Sequence, residues 1–214
     1  MKRILLQGDS ITDSGRYKEN PDSVGNGYAC LVAAEIGAKY PYQYKVINRG
    51  ISGNRVIDLL ARIKGDFIKL KPDIISILIG VNDVWAEIDQ KNGVDAARFE
   101  HYYDLLIQQL LEELPDVKIM IMEPYVCHGT FTNNRDEEQD RWEYFYSQVR
   151  LRAAAAKRIA EKYKMPFVPL QETLEKAVAD APQEDYWLQD GVHPTPAGHE
   201  LIAKAWMQAF QTVK

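Results

Sequence analysis

The chain has 214 residues, of which 46% are hydrophobic and 27% are charged, and its net charge at pH 7 is -5. These values are typical of a globular protein and exclude the basic surface that binding to nucleic acid or to an anionic membrane needs. No apolar run reaches the length of a membrane span. Because no linker, repeat or low-complexity tract divides the sequence, we expect residues 1–214 to form a single domain.

The N-terminus and the two cysteines indicate a cellular compartment. Met1-Lys2-Arg3 passes directly into a strand-like run that is too short for the apolar region of a signal peptide. Cys30 and Cys127 lack the spacing of metal ligands, and a chain of this length needs no disulfide to fold. We therefore expect a cytoplasmic protein whose two thiols are reduced and take no part in chemistry.

Strand and helix patterns alternate along the chain. Apolar runs predict five strands, at 3–8, 44–48, 74–79, 118–122 and 167–170. Helical spacing of apolar residues predicts helices at 28–36, 56–70, 98–114 and 141–163, with Gly65 as a weak point of the second. A last helix begins near Pro196 with Thr195 as its N-cap, and a polar loop at 13–27 follows the first strand. This alternation predicts a three-layer α/β/α sandwich around a mainly parallel, five-stranded sheet.

Residues that follow the strands are the candidates for a functional site. In an open parallel sheet the functional crevice lies beyond the carboxyl ends of the strands. Ser10, Gly53, Asn82 and Tyr125 each follow a predicted strand. We therefore expect these four residues, which come from separate segments, to meet at one edge of the sheet.

Ser10 is the candidate nucleophile. It ends the run Gly8-Asp9-Ser10, in which glycine allows a tight turn and a close approach of the backbone directly after the first strand. An ordinary turn, or a serine that only caps the next helix, is the alternative interpretation of this short motif.

A candidate general base lies near the other end of the chain. Asp190 precedes His193 by three residues in a loop stiffened by two prolines, so its carboxylate can bond one ring nitrogen and leave the other free for a hydroxyl. A serine needs such a base at neutral pH. The alternative is a helix-entry loop in which the aspartate caps a backbone amide. We expect His199 to face solvent or to pack locally, and we expect no metal site among the four histidines.

Four short blocks together resemble one enzyme family. Gly8-Asp9-Ser10, Gly53, Gly80-x-Asn82-Asp83 and Asp190-x-x-His193 occur in the order and at the approximate spacing of the SGNH (GDSL) hydrolases. The resemblance spans essentially the whole chain. It implies a flavodoxin-like sandwich and a serine esterase mechanism without a cofactor. The sequence lacks the Gly-x-Ser-x-Gly elbow of the α/β-hydrolases, which disfavours that fold.

The resemblance also implies a role for each candidate residue. Ser10 would attack an ester carbonyl while His193 takes its proton, and His193 would later return that proton to the departing alcohol. Asp190 would hold the imidazole in the required tautomer. The backbone amides of Ser10 and Gly53 and the side-chain amide of Asn82 would form the oxyanion hole.

Three nearby residues need separate interpretation. Gly50 is a rival of Gly53 for the oxyanion hole, and we favour Gly53 because it occupies the sixth place of the run that begins at Asn48, as in the family. We assign no proton transfer to Asp9 or Asp13. Asp9 is expected to bond backbone near the nucleophile, and Asp13 is expected to cap the following turn.

The expected substrate also follows from the resemblance. The runs that contain Ser10, Gly53 and Asn82 look most like a subgroup of carbohydrate esterases, the acetylxylan esterases, which remove acetyl groups from xylan fragments. The segment 128–141 is polar and offers no apolar lining for a long acyl chain, so we expect a short acyl group. Loop aromatics suit the apolar faces of sugar rings, and we expect substrate contacts from four residues: Asp9, Trp85, Tyr125 and Trp187.

Two other functions are compatible with the sequence. A lysophospholipase, a thioesterase or a general short-chain acyl esterase would use the same triad, whereas a non-catalytic binding protein would only keep the scaffold. In each enzyme case the partner is a small acylated substrate. We also expect that loop aromatics and the alanine-rich helix 141–163 allow a homo-oligomer.

Overall fold

The computed structural model describes residues 1–181, 183 and 185–214. Within these residues, five strands form one sheet: β1 (Lys2–Gly8), β2 (Tyr44–Asn48), β3 (Ile74–Leu78), β4 (Lys118–Met122) and β5 (Phe167–Val168). Their spatial order is β2-β1-β3-β4-β5, and every neighbouring pair is parallel. This is the strand order of the flavodoxin-like fold, so the predicted parallel sheet is confirmed.

Helices cover both faces of the sheet. In chain order they are α1 (Ser10–Asp13), α2 (Tyr28–Lys39), α3 (Val56–Ala61), α4 (Ile63–Asp66), α5 (Val81–Gln90), α6 (Ala96–Glu113), α7 (Arg141–Lys162), α8 (Gln171–Ala179) and α9 (Pro196–Phe210). Helices α2, α6, α7 and α9 confirm four predicted helices. The N-cap of α9 is also confirmed, because the Thr195 hydroxyl accepts a hydrogen bond from the Gly198 amide at 3.3 Å.

The segment 56–70 differs from its prediction. A single helix is wrong here, since Arg62 leaves helical geometry, with φ -105° and ψ 13°, and separates α3 from α4. The Arg62 side chain bonds Asn54 and Asp66 across this break, and a 3-10 turn at Ile68–Leu70 follows. The break therefore lies at an arginine held by side-chain hydrogen bonds, whereas Gly65 lies inside α4.

The sequence pattern predicts neither α5 nor α8. Each helix begins within three residues of the end of a strand, where the pattern indicates a loop. Strand β5 ends at Val168 rather than at residue 170, because the amides of Leu170 and Gln171 turn away and donate to Glu123 Oε2, at 2.8 and 3.0 Å.

Side chains alternate between the two faces of the sheet. In β1, Ile4 and Leu6 lie in the core layer formed with α2 and α9, whereas Leu5 lies in the layer formed with α3 and α6. The buried indole of Trp206 in α9 donates to the hydroxyl of Ser76 in β3 at 2.9 Å, so a polar contact also joins this helix to the centre of the sheet. The predicted three-layer sandwich is confirmed.

The alanine-rich helix α7 uses its small side chains inside the chain. Ala155, Ala156 and Ala160 are buried in the core layer that includes α6. Small side chains allow close helix packing, and Arg158 bonds Glu100 of α6 at the edge of this contact. The alanine face is therefore not available to a partner, and the homo-oligomer stays a prediction.

Cys30 and Cys127 are unpaired, as expected, and burial raises the pKa of the Cys127 thiol to about 12. Among the residues that the structure describes, no helix combines the length and the apolar character that crossing a bilayer needs.

Candidate active site

The candidate residues gather where the chain leaves β1 and β3. Ser10 begins α1 directly after β1, and Asn82 lies in the first turn of α5 directly after β3. These strands are neighbours, and the strand order reverses between them, which makes this the topological switch point of the sheet. Gly53 joins them from the loop that follows β2.

The turn that carries Ser10 is held by close backbone packing. A Cβ on Gly8 would lie 2.3 Å from the carbonyl oxygen of Leu78 and 2.4 Å from the hydroxyl of Thr12, so only glycine fits. Asp9 is the N-cap of α1, and its Oδ1 accepts from the amide of Ile11 at 3.0 Å. The predicted backbone contact of Asp9 is thus confirmed.

Ser10, His193 and Asp190 form a continuous chain of hydrogen bonds. Ser10 Oγ lies 2.8 Å from Nε2 of His193, and Nδ1 of His193 lies 2.6 Å from Oδ2 of Asp190. Because an ionised carboxylate only accepts, Nδ1 carries the imidazole proton and Nε2 accepts from the serine hydroxyl. The arrangement can remove the hydroxyl proton of Ser10.

The carboxylate of Asp190 makes the imidazole of His193 more basic. The hydrogen bond from His193 to Asp190 raises the pKa of the histidine above 6.5, although partial burial acts in the opposite direction. Burial tends to raise the pKa of Asp190. Hydrogen bonds from the His193 ring and from the amides of His193 and Val192 outweigh burial and lower this pKa.

The loop that follows β4, which contains Cys127 and Phe131, is hydrogen-bonded to the loop that carries His193. The amide of Cys127 donates to Gly191 O at 2.9 Å, and the amide of Phe131 donates to Asp190 O at 3.1 Å. A Cβ on Gly129 would lie 2.1 Å from the amide nitrogen of Gly191, so the two loops touch backbone to backbone. The sequence contains no signal for this contact, because the two loops are about 60 residues apart.

Two residues with an amide that could serve as a donor line the same pocket as Ser10. Asn82 is partly buried, and its Nδ2 donates to the carbonyl of Asn54 at 3.2 Å. Gly53 has a φ of 82°, a positive value that favours glycine, and a Cβ there would meet no protein atom within 4 Å. Its rival Gly50 is buried against α1, and the amide of Gly50 already donates to Asn48 Oδ1.

Asp13 links α1 to the loop that carries Gly53. Its Oδ2 accepts from both the amide and the hydroxyl of Ser52, each at 3.0 Å. The predicted role of this carboxylate as a cap of its own following turn is therefore wrong, since its side chain reaches across to a neighbouring loop.

Of the four residues expected to contact substrate, Trp85 lines the pocket. Asp9 and Tyr125 are fully buried, so the expectation of substrate contact is wrong for both. Burial raises the pKa of Asp9 to about 7, and the Tyr125 hydroxyl donates to Val192 O at 3.0 Å behind the histidine loop. Trp187 is partly buried beside Tyr186 and is not among the residues that line this pocket.

His199 lies inside the protein rather than at its surface. Its Nδ1 accepts from the amide of Tyr28 at 3.1 Å, and its Nε2 lies 3.3 Å from the hydroxyl of Ser14. Burial, with a smaller effect from the charge of His193, lowers its pKa to about 4, so it is neutral near pH 7. Of the two alternatives expected for His199, exposure to solvent is wrong, because the side chain packs inside the protein against Tyr28 and Ser14. Its structural role is to accept a hydrogen bond at the start of α2.

The pocket has a volume of about 400 Å³ and is lined mainly by polar residue types. Arg55 and Asp58 form a doubly hydrogen-bonded pair in its wall, at 3.0 and 3.2 Å. Asn82, Ala86 and Gln90 of α5 line it at a spacing of four, which places them on one helix face. On the opposite face, Val81, Val84, Trp85 and Ile88 recur at helical spacing and pack on the core, and this is the signal from which α5 could have been recognised. The remaining lining residues are Ser10, Ser52, Gly53, Trp85, Asn92 and His193.

Comparison with known proteins identifies the family. Residues 6–201 match the family model of the GDSL-like lipases and acylhydrolases. The chain is 35% identical to an acetylxylan esterase from Geobacillus stearothermophilus over 215 residues, which cover 97% of this chain and 93% of that protein. The chain belongs to the GDSL-like lipase/acylhydrolase family. The resemblance to SGNH (GDSL) hydrolases is thereby confirmed, and family membership supports hydrolase chemistry.

Solved structures of the family share the fold. A GDSL-like lipase family protein from Parabacteroides merdae has a TM-score of 0.87 at 35% identity, covering 100% of this chain and 96% of that one. The G. stearothermophilus acetylxylan esterase has a TM-score of 0.80 at 32% identity, covering 97% of this chain and 93% of that one. A more distant relative, an isoamyl acetate-hydrolyzing esterase from Saccharomyces cerevisiae, is 23% identical over 99% of this chain and 87% of its own length.

Proposed function

We propose that the protein is a serine esterase that removes acetyl groups from carbohydrates such as xylo-oligosaccharides. The observation that carries the proposal is the Ser10–His193–Asp190 chain of hydrogen bonds at the edge of a pocket that also contains Gly53 and Asn82. Family membership supports ester hydrolysis, and the pocket lining supports the sugar.

The first half of the reaction forms an acyl-enzyme. Ser10 Oγ attacks the ester carbonyl carbon while Nε2 of His193 takes the hydroxyl proton. Negative charge that develops on the carbonyl oxygen is met by the amides of Ser10 and Gly53 and by Nδ2 of Asn82. The imidazolium, stabilised by Asp190, then gives its proton to the departing sugar oxygen.

The second half releases the acid. Water takes the place of the sugar, His193 removes a proton from it, and the resulting nucleophile attacks the acyl carbonyl. The ester bond to Ser10 breaks, and His193 returns the proton to Oγ. The hydrogen bond to Asp190 keeps Nδ1 protonated throughout, so Nε2 stays in position as base and acid.

The relatives support acetate as the acid part of the substrate. One is named for acetylxylan and the other for isoamyl acetate, so the two names share the acetyl group and differ in the alcohol. A polar pocket wall of Arg55, Asp58, Gln90 and Asn92 suits the hydroxyl groups of a sugar better than an alkyl alcohol. Trp85 adds an aromatic face beside His193, at 5.8 Å between ring centroids.

The test compares substrates with the Ser10→Ala variant as blank. We expect rapid acetate release from acetylated xylo-oligosaccharides and a steep fall from acetyl to butyryl to octanoyl esters of one chromogenic alcohol. Ser10→Ala should lose nearly all turnover and keep its fold, since it loses one hydroxyl. Residual turnover within tenfold of wild type contradicts the role of Ser10. Fast octanoyl turnover with untouched sugars favours the lysophospholipase or thioesterase alternative.

We also propose that the protein acts in the cytoplasm on imported fragments. The unpaired thiols of Cys30 and Cys127 support a reducing compartment. Cell fractionation with an antibody against the chain tests this proposal, and recovery in the culture medium contradicts it.

A further inference from the structure

Phe131 is an exposed aromatic residue beside the pocket. Its exposed fraction is 46%, and it lies in the segment 128–141, which is otherwise mostly polar. Its ring centroid is 5.5 Å from that of Trp85, and the Trp85 centroid is 5.8 Å from that of His193. Aromatic surface therefore continues outward from the histidine, through Trp85, to a ring that is not part of the pocket lining.

Backbone hydrogen bonds hold Phe131 in place on both sides. Its amide donates to the carbonyl of Asp190 at 3.1 Å, so its backbone is fixed relative to the acid–base loop itself. Its carbonyl accepts from Nε of Arg141 at 2.8 Å. An exposed aromatic side chain gains little from burial, yet both the amide and the carbonyl of this residue are hydrogen-bonded.

The same arginine also orients Trp85. The side chain of Arg141 is fully buried, and its Nη1 donates to Oδ1 of Asp89 at 3.1 Å. The other carboxylate oxygen, Oδ2, accepts from the indole Nε1 of Trp85 at 2.7 Å. One buried guanidinium thus holds the backbone of Phe131 and, through Asp89, the indole of Trp85. Glu138 also pairs with Arg135, so two cations balance the two carboxylates. Such a fixed and locally neutral aromatic surface is preorganised for an uncharged ligand with an apolar face.

We propose that Trp85 and Phe131 form an aromatic subsite for the sugar unit next to the acetylated one, so that the enzyme prefers acetylated oligosaccharides to acetylated monosaccharides. This inference rests on the proposed function and adds a length preference to it. The acetylated unit occupies the pocket and contacts Trp85. The neighbouring unit lies outside the pocket, with the apolar face of its ring against Phe131.

The test is the Phe131→Ala variant assayed on acetylated xylotetraose, acetylated xylose and 4-nitrophenyl acetate. We expect kcat/KM on the tetraose to fall roughly 3- to 10-fold, chiefly through KM. An aromatic contact of this kind strengthens binding by a few-fold to about tenfold. Turnover of the two small substrates should stay within twofold of wild type. Phe131→Trp keeps an aromatic face and should retain the preference for the tetraose.

Tyr42→Ala is the matched control. Tyr42 is 92% exposed and precedes β2, at the amino end of the strands and therefore on the side of the sheet away from the pocket. Its replacement should change none of the three activities. Thermal melts of each variant show whether the fold is kept.

The other outcomes distinguish failure of the subsite from failure of the proposed function. Equal loss by Phe131→Ala on all three substrates, or no loss on the tetraose, overturns the subsite and leaves the esterase proposal intact. If wild type hydrolyses 4-nitrophenyl acetate but no acetylated sugar, the carbohydrate proposal and the subsite both fall. If wild type hydrolyses no ester, the proposed function falls, and calorimetric binding of unacetylated xylotetraose to wild type and Phe131→Ala decides the subsite separately.

Discussion

Replacing Asn82 with alanine removes one donor of the proposed oxyanion hole without touching the triad. The Nδ2 amide has two hydrogens, and one of them already bonds the carbonyl of Asn54 at 3.2 Å. The second is free to meet the oxyanion beside Ser10 and Gly53, which line the same pocket. Asn82→Ala therefore removes one catalytic hydrogen bond and one structural hydrogen bond, and the two losses are measured separately.

The expected magnitudes differ between the two losses. Loss of one oxyanion donor lowers kcat by about 10²- to 10³-fold, equivalent to about 2.7–4 kcal/mol in the transition state. Loss of the bond to Asn54 costs about 1 kcal/mol of stability, because water in the open pocket can replace the donor. For a chain of 214 residues, that loss lowers Tm by about 2–4 °C. KM should change little, since the ground-state carbonyl carries less charge than the oxyanion.

Steady-state kinetics on 4-nitrophenyl acetate and a thermal melt provide the measurements. Asn82→Asp keeps the shape but only accepts hydrogen bonds and adds negative charge, so its kcat should fall at least as far. Asn92→Ala changes another asparagine in the lining of the same pocket and should leave kcat unchanged. The reasoning is refuted if Asn82→Ala keeps kcat within tenfold of wild type, or if its whole effect appears in KM.

Two further predictions concern pH. Neutral His193 is the proposed base, and Asp190 raises the pKa of its imidazole. The acid limb of the kcat/KM profile should therefore have its midpoint above pH 6.5 in wild type and at a lower pH in Asp190→Asn. An unchanged midpoint contradicts this coupling. His199 has a folded pKa of about 4 against 6.5 unfolded, so its stabilising contribution is present above pH 6.5 and is lost as pH falls toward 4. Urea unfolding should show a loss of about 3 kcal/mol in wild type that is absent in His199→Gln; equal pH dependence of both proteins argues against a buried neutral imidazole.

Local sequence pattern determined most of the fold. The five strands are short apolar runs, and the order of strands and helices along the chain limits the topology to a parallel sheet with helices on both faces. The pair Asp190 and His193 was predictable for the same reason, because a spacing of three residues in a stiff loop leaves few geometries. Helix α5 was also open to prediction, because Val81, Val84, Trp85 and Ile88 recur at helical spacing directly after β3.

Tertiary structure alone decided which of the candidate side chains reach the pocket. Both Tyr125 and Trp85 follow a strand in the sequence, yet Tyr125 is fully buried and Trp85 lines the pocket. Burial depends on what packs over a residue, and the covering residues come from distant segments. The contact between Trp85 and Phe131 is of this kind, as is the 2.8 Å hydrogen bond between Ser10 and His193, which are 183 residues apart. Short-range periodicity contains no information about such pairs, because they form only when the sheet brings the carboxyl ends of its strands together.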